Sequence, residues 1–190
     1  MASPTVGDGR VTRERYWQLV EQGVVDSDDR VELLEGVIVA MAPQNPSHAY
    51  VIGVIVRWLT SALGPDACVR VQMPIDLGDL SVPEPDVALV PGRWEDYAAS
   101  HPTKATLLVE VADSSLAQDR LTKASIYAGA GVETYWIVNL RDRCVELHQR
   151  PLPAERRYRD RRTVHGADIL QVAALDGMAI GVESILPPPR

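Results

Sequence analysis

The sequence predicts an α/β domain, a mixed β-sheet flanked by helices with an N-terminal helix and a β-hairpin in front, on three observations. Val51, Ile52, Ile55, Trp58, Leu59 and Leu63 recur at helical spacing. Two short apolar runs, Val87-Ala88-Leu89-Val90 and Leu107-Leu108-Val109-Glu110-Val111, have the length and near-unbroken hydrophobicity of strands buried on both faces. The order of elements, a helix before a run of strands, then a second helix and more strands, mixes the two types along the chain.

Arg13 to Gln22 forms the first helix, with Thr12 as its N-cap and Gly23 beyond its end. Arg30 to Leu34 and Val37 to Ala42 read as strands joined tightly at Glu35-Gly36. Ser47 caps a helix running to about Leu63, and Gly64-Pro65 stops it. Val69 to Leu77, Asp86 to Val90 and Thr106 to Ala112 follow as strands, the last two separated by a polar excursion, Pro91 to Lys104, at the surface. Asp113-Ser114-Ser115 caps a helix continuing to about Ala130, closed by Gly129 and Gly131. Gly129-Ala130-Gly131 follows a helix instead of opening one, which excludes a phosphate-binding loop. Glu133 to Asn139 and Arg143 to His148 are further strands, and weaker patterns mark others near Arg157 to Val164, Ile169 to Val172 and Ala179 to Val182.

At 190 residues with no Pro-, Gly- or Ser-rich linker, the chain is expected to form one domain over residues 1–186, with 187–190 a flexible tail. No apolar stretch approaches the roughly 20 residues of a membrane span, and the start Met-Ala-Ser-Pro-Thr lacks the flank and apolar core of an export signal, so a cytoplasmic location is expected. Cys68 and Cys144 fit no zinc or redox spacing and read as buried free thiols. A formal charge of −7 argues against broad nonspecific nucleic-acid affinity. Its distribution softens that objection, because Arg150, Arg156, Arg157, Arg159, Arg161 and Arg162 crowd one segment around Tyr158. Such a patch is a solvated face or a nucleic-acid footprint in which Tyr158 would meet a base or sugar.

Chemistry concentrates on two acids and one lysine. Asp86 follows Pro83-Glu84-Pro85 at the head of one apolar run and Glu110 interrupts another. If the strands are neighbours and the carboxylates lie about 4 Å apart, their repulsion is roughly 4 kcal/mol at an effective dielectric of ~20, and a divalent cation would relieve it. The chain holds only two lysines, Lys104 and Lys123, among many arginines. Asp119, Lys123 and Tyr127 share a helix face at four-residue steps. Either Asp119 and Lys123 form an exposed pair worth about 0.3 to 0.5 kcal/mol, or a compact ammonium is kept to orient water or meet a phosphate oxygen.

Arg30-Val31-Glu32-Leu33-Leu34-Glu35-Gly36, His48, Pro83-Glu84-Pro85-Asp86-Val87, Glu110-Val111-Ala112-Asp113-Ser114-Ser115, Asp119-Arg120, Lys123, Tyr127 and Val132-Glu133-Thr134-Tyr135-Trp136-Ile137-Val138 together resemble the Uma-two family over about Tyr16 to Leu186. That family is grouped with restriction endonucleases of the PD-(D/E)xK nuclease superfamily. The resemblance implies a restriction-endonuclease-like core with Asp86 and Glu110 as metal ligands and Lys123 as the catalytic lysine. In the superfamily's usual pattern the lysine stands two residues after the second acid, a place held here by Ala112; the family moves it to the following helix, where Lys123 matches. Ala112 and Asp113 replace the Ser-Pro of many members. Glu32 matches an acidic family position and would hold a second metal or the first metal's water, or else form a hairpin salt bridge with Arg30 or another surface arginine. His48 also matches a family position, lining the site or bonding a terminal helix carbonyl.

The implied enzyme hydrolyses DNA phosphodiesters with Mg²⁺ or Mn²⁺ held by Asp86, Glu110 and the Val111 carbonyl, while Lys123 orients the attacking water. A rival of another class, a noncatalytic binding or assembly module on the same fold, draws support from the acidic balance. A homodimer is expected because cutting both strands needs two sites, and because Tyr135 and Trp136 with the weakly patterned C-terminal strands offer apolar or edge surface.

Overall fold

The computed structural model describes residues 9–26, 28–64, 66–172, 175 and 178–189. Thr12 Oγ1 accepts the Arg15 amide at 3.1 Å and opens α1 (Arg13–Glu21). A hairpin follows, β1 (Val31–Leu34) against β2 (Val37–Ala40), turned by Glu35 at φ 53° and Gly36 at φ 83°. Two successive left-handed residues give a turn whose twist matches the strands. A Cβ on Gly36 would also lie 2.5 Å from Arg10 Cβ, so only glycine fits.

The cap of α2 (Pro46–Ala62) is Asn45 rather than Ser47. Asn45 Oδ1 accepts the His48 amide at 3.0 Å, and Pro46 takes the first helical position, where no N–H is needed.

Six strands form the main sheet in the order β3 (Ala67–Val71), β4 (Val87–Pro91), β5 (Leu107–Ala112), β6 (Thr134–Asn139), β7 (Cys144–Leu152) and β8 (Arg157–His165). Every neighbouring pair is antiparallel except β5 with β6. A parallel pair needs a crossover, supplied by α3 (Leu116–Gln118), a π turn (Asp119–Lys123) and α4 (Ala124–Gly129). A small pair, β9 (Ile169–Gln171) with β10 (Ala179–Gly181), precedes α5 (Val182–Ile185). β3 is shorter than the pattern Val69 to Leu77 suggests: Gln72 turns left-handed at φ 50°, and the amides of Ile75 and Leu77 bond the carbonyls of Pro83 and Ser81 outside the ladder.

Strand alternation builds one core on each face of the sheet. Leu107, Val109, Val111, Trp136 and Val138 pack with Val51, Ile55 and Leu59 of α2. Leu108, Ala112, Tyr135 and Ile137 pack with Ala124, Tyr127 and Ala128 of the crossover. Cys68 and Cys144 are buried and free. Among the described residues no helix is long and apolar enough to cross a membrane. Arg143 Nη1 donates to the Pro187 carbonyl at 2.9 Å, tying down the start of the tail; Arg190 lies outside the described residues.

Two surface expectations fail. Tyr135 and Trp136 are fully buried because β6 lies between β5 and β7, so they offer nothing to a second copy. Tyr158 is equally enclosed, ringed by Tyr135 and His148, and cannot stack on a base.

His148 makes stability pH-dependent. Burial first, then Arg161, lowers its pKa from 6.5 to about 4. The unfolded chain takes up this proton below pH 6.5 and the folded one only below about 4, so stability falls as pH drops through that window. At pH 4.5 the loss is roughly 2 to 3 kcal/mol. Urea titrations at pH 7 and 4.5 are expected to show it, and His148→Phe to flatten it.

Candidate active site

The β4–β5 ladder stops at Val87 opposite Val109, which leaves the end of β5 without a strand beside it on that side. Asp86 turns into the gap. Its Oδ2 accepts the Val111 amide at 2.8 Å and lies 3.0 Å from His48 Nε2, while Oδ1 accepts Gln72 Nε2 at 3.1 Å. Burial alone would raise this carboxyl, but His48, the Val111 amide and Gln72 outweigh it and hold the pKa below the usual value.

Glu110 points to the crossover face, beneath the π turn. There the Ala124 amide reaches back five residues to the Asp119 carbonyl, which also accepts the Tyr135 hydroxyl at 3.2 Å. Such turns are rare and recur at functional sites. Lys123, 4 % exposed, lies with Nζ 3.0 Å from Glu110 Oε1 and 3.1 Å from Glu32 Oε1. Tyr127 Oη donates to the same Glu110 Oε1 at 2.6 Å. Glu32 Oε2 accepts the Glu84 amide at 3.1 Å, and Ser115 Oγ donates to Asp119 Oδ2 at 2.7 Å.

The electrostatics follow from burial. Desolvation opposes the Lys123 charge, yet Glu110, Glu32 and Asp119 together raise its pKa, so it remains an ammonium. Glu110 is pushed well above the carboxylate range by burial, against Lys123 and with the charges of Asp86, Asp119 and Glu32 adding. Asp119 is pushed up to about 6, again chiefly by burial, and Glu84 upward by burial and Glu32.

All six residues singled out from the sequence, Glu32, His48, Asp86, Glu110, Val111 and Lys123, line one cavity of about 230 Å³. They fall into two groups, Asp86 with His48 and Val111, and Lys123 between Glu32 and Glu110. The exposed Asp119–Lys123 pair is not formed, because both residues are buried and the lysine reaches the sheet. Glu32 meets Lys123 and not Arg30, and His48 meets Asp86 and not a helix carbonyl. Sequence reasoning left out Glu84 and Gln72, and it named Asp119 and Tyr127 without placing them in the site. Glu84 stands beside Asp86 in the same Pro83-Glu84-Pro85-Asp86 run, a legible signal; the Gln72 contact depends on a left-handed residue that no local pattern announces.

Five carboxylates, Glu32, Glu84, Asp86, Glu110 and Asp119, share the cavity with two permanent cations, Lys123 and Arg30. Glu110 Oε2 takes no hydrogen bond among the described residues. Oxygen-only donors with excess buried negative charge suit a hard divalent cation. Among the described residues no three His, Cys, Asp or Glu side chains converge on one point as a ready ligand shell; the Lys123 ammonium bridges two of the acids.

An antiparallel sheet with one parallel pair, acids at its opened strand junction and a lysine from the crossover helix define a nuclease-like α/β fold. A crystallographic structure similar to it is that of a protein of Anabaena variabilis described as a putative nuclease belonging to DUF820, with a TM-score of 0.74, 14 % identity, and coverage of 92 % of this chain and 97 % of that one. The chain belongs to the Uma2 family, whose model, described as "Putative restriction endonuclease", matches residues 13–183. No curated protein matches it.

Proposed function

We propose that the protein is a Mg²⁺- or Mn²⁺-dependent endonuclease that hydrolyses DNA phosphodiesters. The observation that carries this reading is the enclosure of Asp86, Glu110 and the Lys123 ammonium in one cavity at the opened β4–β5 junction; the family description adds to it. Asp86, Glu110 and the Val111 carbonyl would hold the ion, with Glu32 at its water; when bound, it polarises the phosphate and lowers the pKa of a water. His48, Gln72 and the Val111 amide keep Asp86 ionised and fixed. Tyr127 and Lys123 anchor Glu110 by one oxygen and leave the other free. Lys123, locked as an ammonium, orients the attacking water and offsets charge on the phosphate. The water oxygen bonds to phosphorus, one ester bond breaks, and the displaced proton ends on the leaving oxygen.

Purified protein with supercoiled plasmid and Mn²⁺ is expected to give nicked and linear DNA, and Asp86→Ala none. Equal cleavage by both would sink the assignment. The rival, a noncatalytic module, is favoured by the salt bridges of Lys123 to Glu32 and Glu110, which neutralise in place what a cation would neutralise. Calorimetry separates the two: Mn²⁺ binding that disappears in Glu110→Ala belongs to the enzyme, and absence of binding in the parent to the module. Dimerisation now rests only on the need for two sites to cut two strands, and light scattering giving the mass of one chain at micromolar concentration removes it.

Tyr127→Phe tests the anchoring of Glu110. Losing a hydrogen bond to a charged group costs about 1.5 to 3 kcal/mol of stability. The rate is expected to fall about tenfold, some 1.4 kcal/mol in barrier. An unchanged rate would reduce Tyr127 to packing.

A further inference from the structure

β8 is the last strand of the main sheet and pairs only with β7, so its outer edge faces no strand among the described residues. The arginines crowded there are not equivalent. Arg150 pairs with Asp160, Arg156 with Glu35 and Arg157 with Glu155. Arg159, Arg161 and Arg162 are exposed and make no salt bridge or side-chain hydrogen bond among the described residues. In a chain of net charge −7, three neighbouring guanidiniums left without a carboxylate are an exception to the general excess of acid.

Their place relative to the site follows from the strand register. Leu108, Tyr135, His148 and Arg161 stand opposite one another across the sheet, and cross-strand partners share a face; Arg162 stands in the neighbouring row, opposite Leu147 and Trp136, and leaves the edge from the other face. Glu110 heads the next row on that same strand, through Ile137 and Glu146 to Thr163. Three strand spacings of about 4.8 Å put β8 about 14 Å from β5. Duplex DNA presents a phosphate every 3.4 Å along each strand, so roughly four base pairs span that distance.

We propose that Arg159, Arg161 and Arg162 on the free edge of β8 bind the phosphodiester backbone of a DNA duplex whose scissile phosphate lies at the Asp86–Glu110–Lys123 cavity. This surface rests on the nuclease reading and supplies what the acidic cavity cannot, an attraction for substrate before any cation is bound. Arginine suits it because its planar fork matches phosphate oxygens in pairs. The contacts are to backbone, so they give affinity and orientation without sequence preference.

The test is anisotropy of a short fluorescein-labelled duplex in EDTA, titrated over a range of KCl, with the parent chain and the triple variant Arg159→Gln/Arg161→Gln/Arg162→Gln. Loss of three phosphate contacts is expected to make the slope of log K against log [KCl] shallower by about 2 to 3 and to weaken binding at least about tenfold at low salt. Arg→Lys at the same three positions is expected to keep most of the slope. Mn²⁺-dependent hydrolysis of bis(p-nitrophenyl) phosphate, which is too small to reach β8, is expected to be equal in parent and triple variant. Equal slopes, or a parent that does not bind the duplex, overturn the surface and leave the charges as a guard against edge-to-edge pairing. Poly-glutamate competing as well per charge as DNA overturns it in favour of an acidic protein. A parent inert on the small diester whose duplex binding still depends on the three arginines supports the surface and removes the hydrolase reading instead.

Discussion

Lys123→Met is expected to destabilise the fold by about 3 to 5 kcal/mol at pH 8, the usual consequence of removing one partner from a buried ion pair. Methionine fills nearly the same volume, so the loss is electrostatic: Glu32 and Glu110 would face each other in a cavity they already share with Asp86 and Asp119. The sign of its pH dependence is fixed. A carboxyl whose folded pKa is raised is stabilising below its unfolded pKa and loses that contribution as pH rises through the folded one. Without the lysine the carboxyls rise further, so the deficit shrinks on acidification, and denaturant titrations at pH 8 and 5 measure the difference. Lys123→Arg keeps the charge but inserts a larger planar group where 5 % of the side chain meets solvent. Overpacking of this kind costs about 1 to 3 kcal/mol, and the rate is expected to fall by roughly two orders of magnitude, about 2.7 kcal/mol in barrier. A Lys123→Met chain as stable as its parent at pH 8 would show that the three side chains do not share the charge described.

Glu110→Gln should separate stability from activity. The amide oxygen can still accept from Lys123 and Tyr127, so the geometry survives. Burial raises the Glu110 pKa, so ionising this carboxyl costs the folded chain stability. Replacing it by a neutral group is therefore expected to leave the midpoint of unfolding equal to or above that of the parent at pH 8. Mn²⁺ binding and plasmid cleavage should vanish together, with a rate loss of at least about a thousandfold, near 4 kcal/mol. A Gln variant that unfolds more readily would mean that the Glu110 charge is needed by the fold, and one that still cuts would remove Glu110 from the site.

The sheet was legible because strand-length apolar runs and helical spacing are local signals, and β4, β5, β6 and α2 appear where those patterns put them. Asp86 and Glu110 were legible because carboxylates in such runs contradict their surroundings. What resisted were features decided by contacts distant in sequence. Whether Lys123 faces water or the sheet cannot be read from four-residue steps alone, since Asp119, Lys123 and Tyr127 lie on one stripe in either case. The π turn has no residue signature, and the Gln72 hydrogen bond exists only because the chain reverses there at φ 50°. Hydrophobicity likewise could not tell that Tyr135 and Trp136 sit on a central strand, because an edge strand with the same residues would read alike.

Placing the lysine on the crossover rather than on the strand that bears Glu110 alters when the site comes into being. A lysine two residues along β5 would be delivered with its glutamate by one local element. Here Lys123 reaches Glu110 across 13 residues, His48 reaches Asp86 from another helix, and Glu32 reaches Lys123 from the hairpin near the start of the chain. The two contacts of Lys123 cannot precede the docking of the crossover onto the sheet. A chain still emerging from synthesis, or one locally opened at the crossover, therefore carries the acids without their cation. Competence for the proposed cleavage would thus arrive only with the completed molecule, a built-in safety catch on the endonuclease reading.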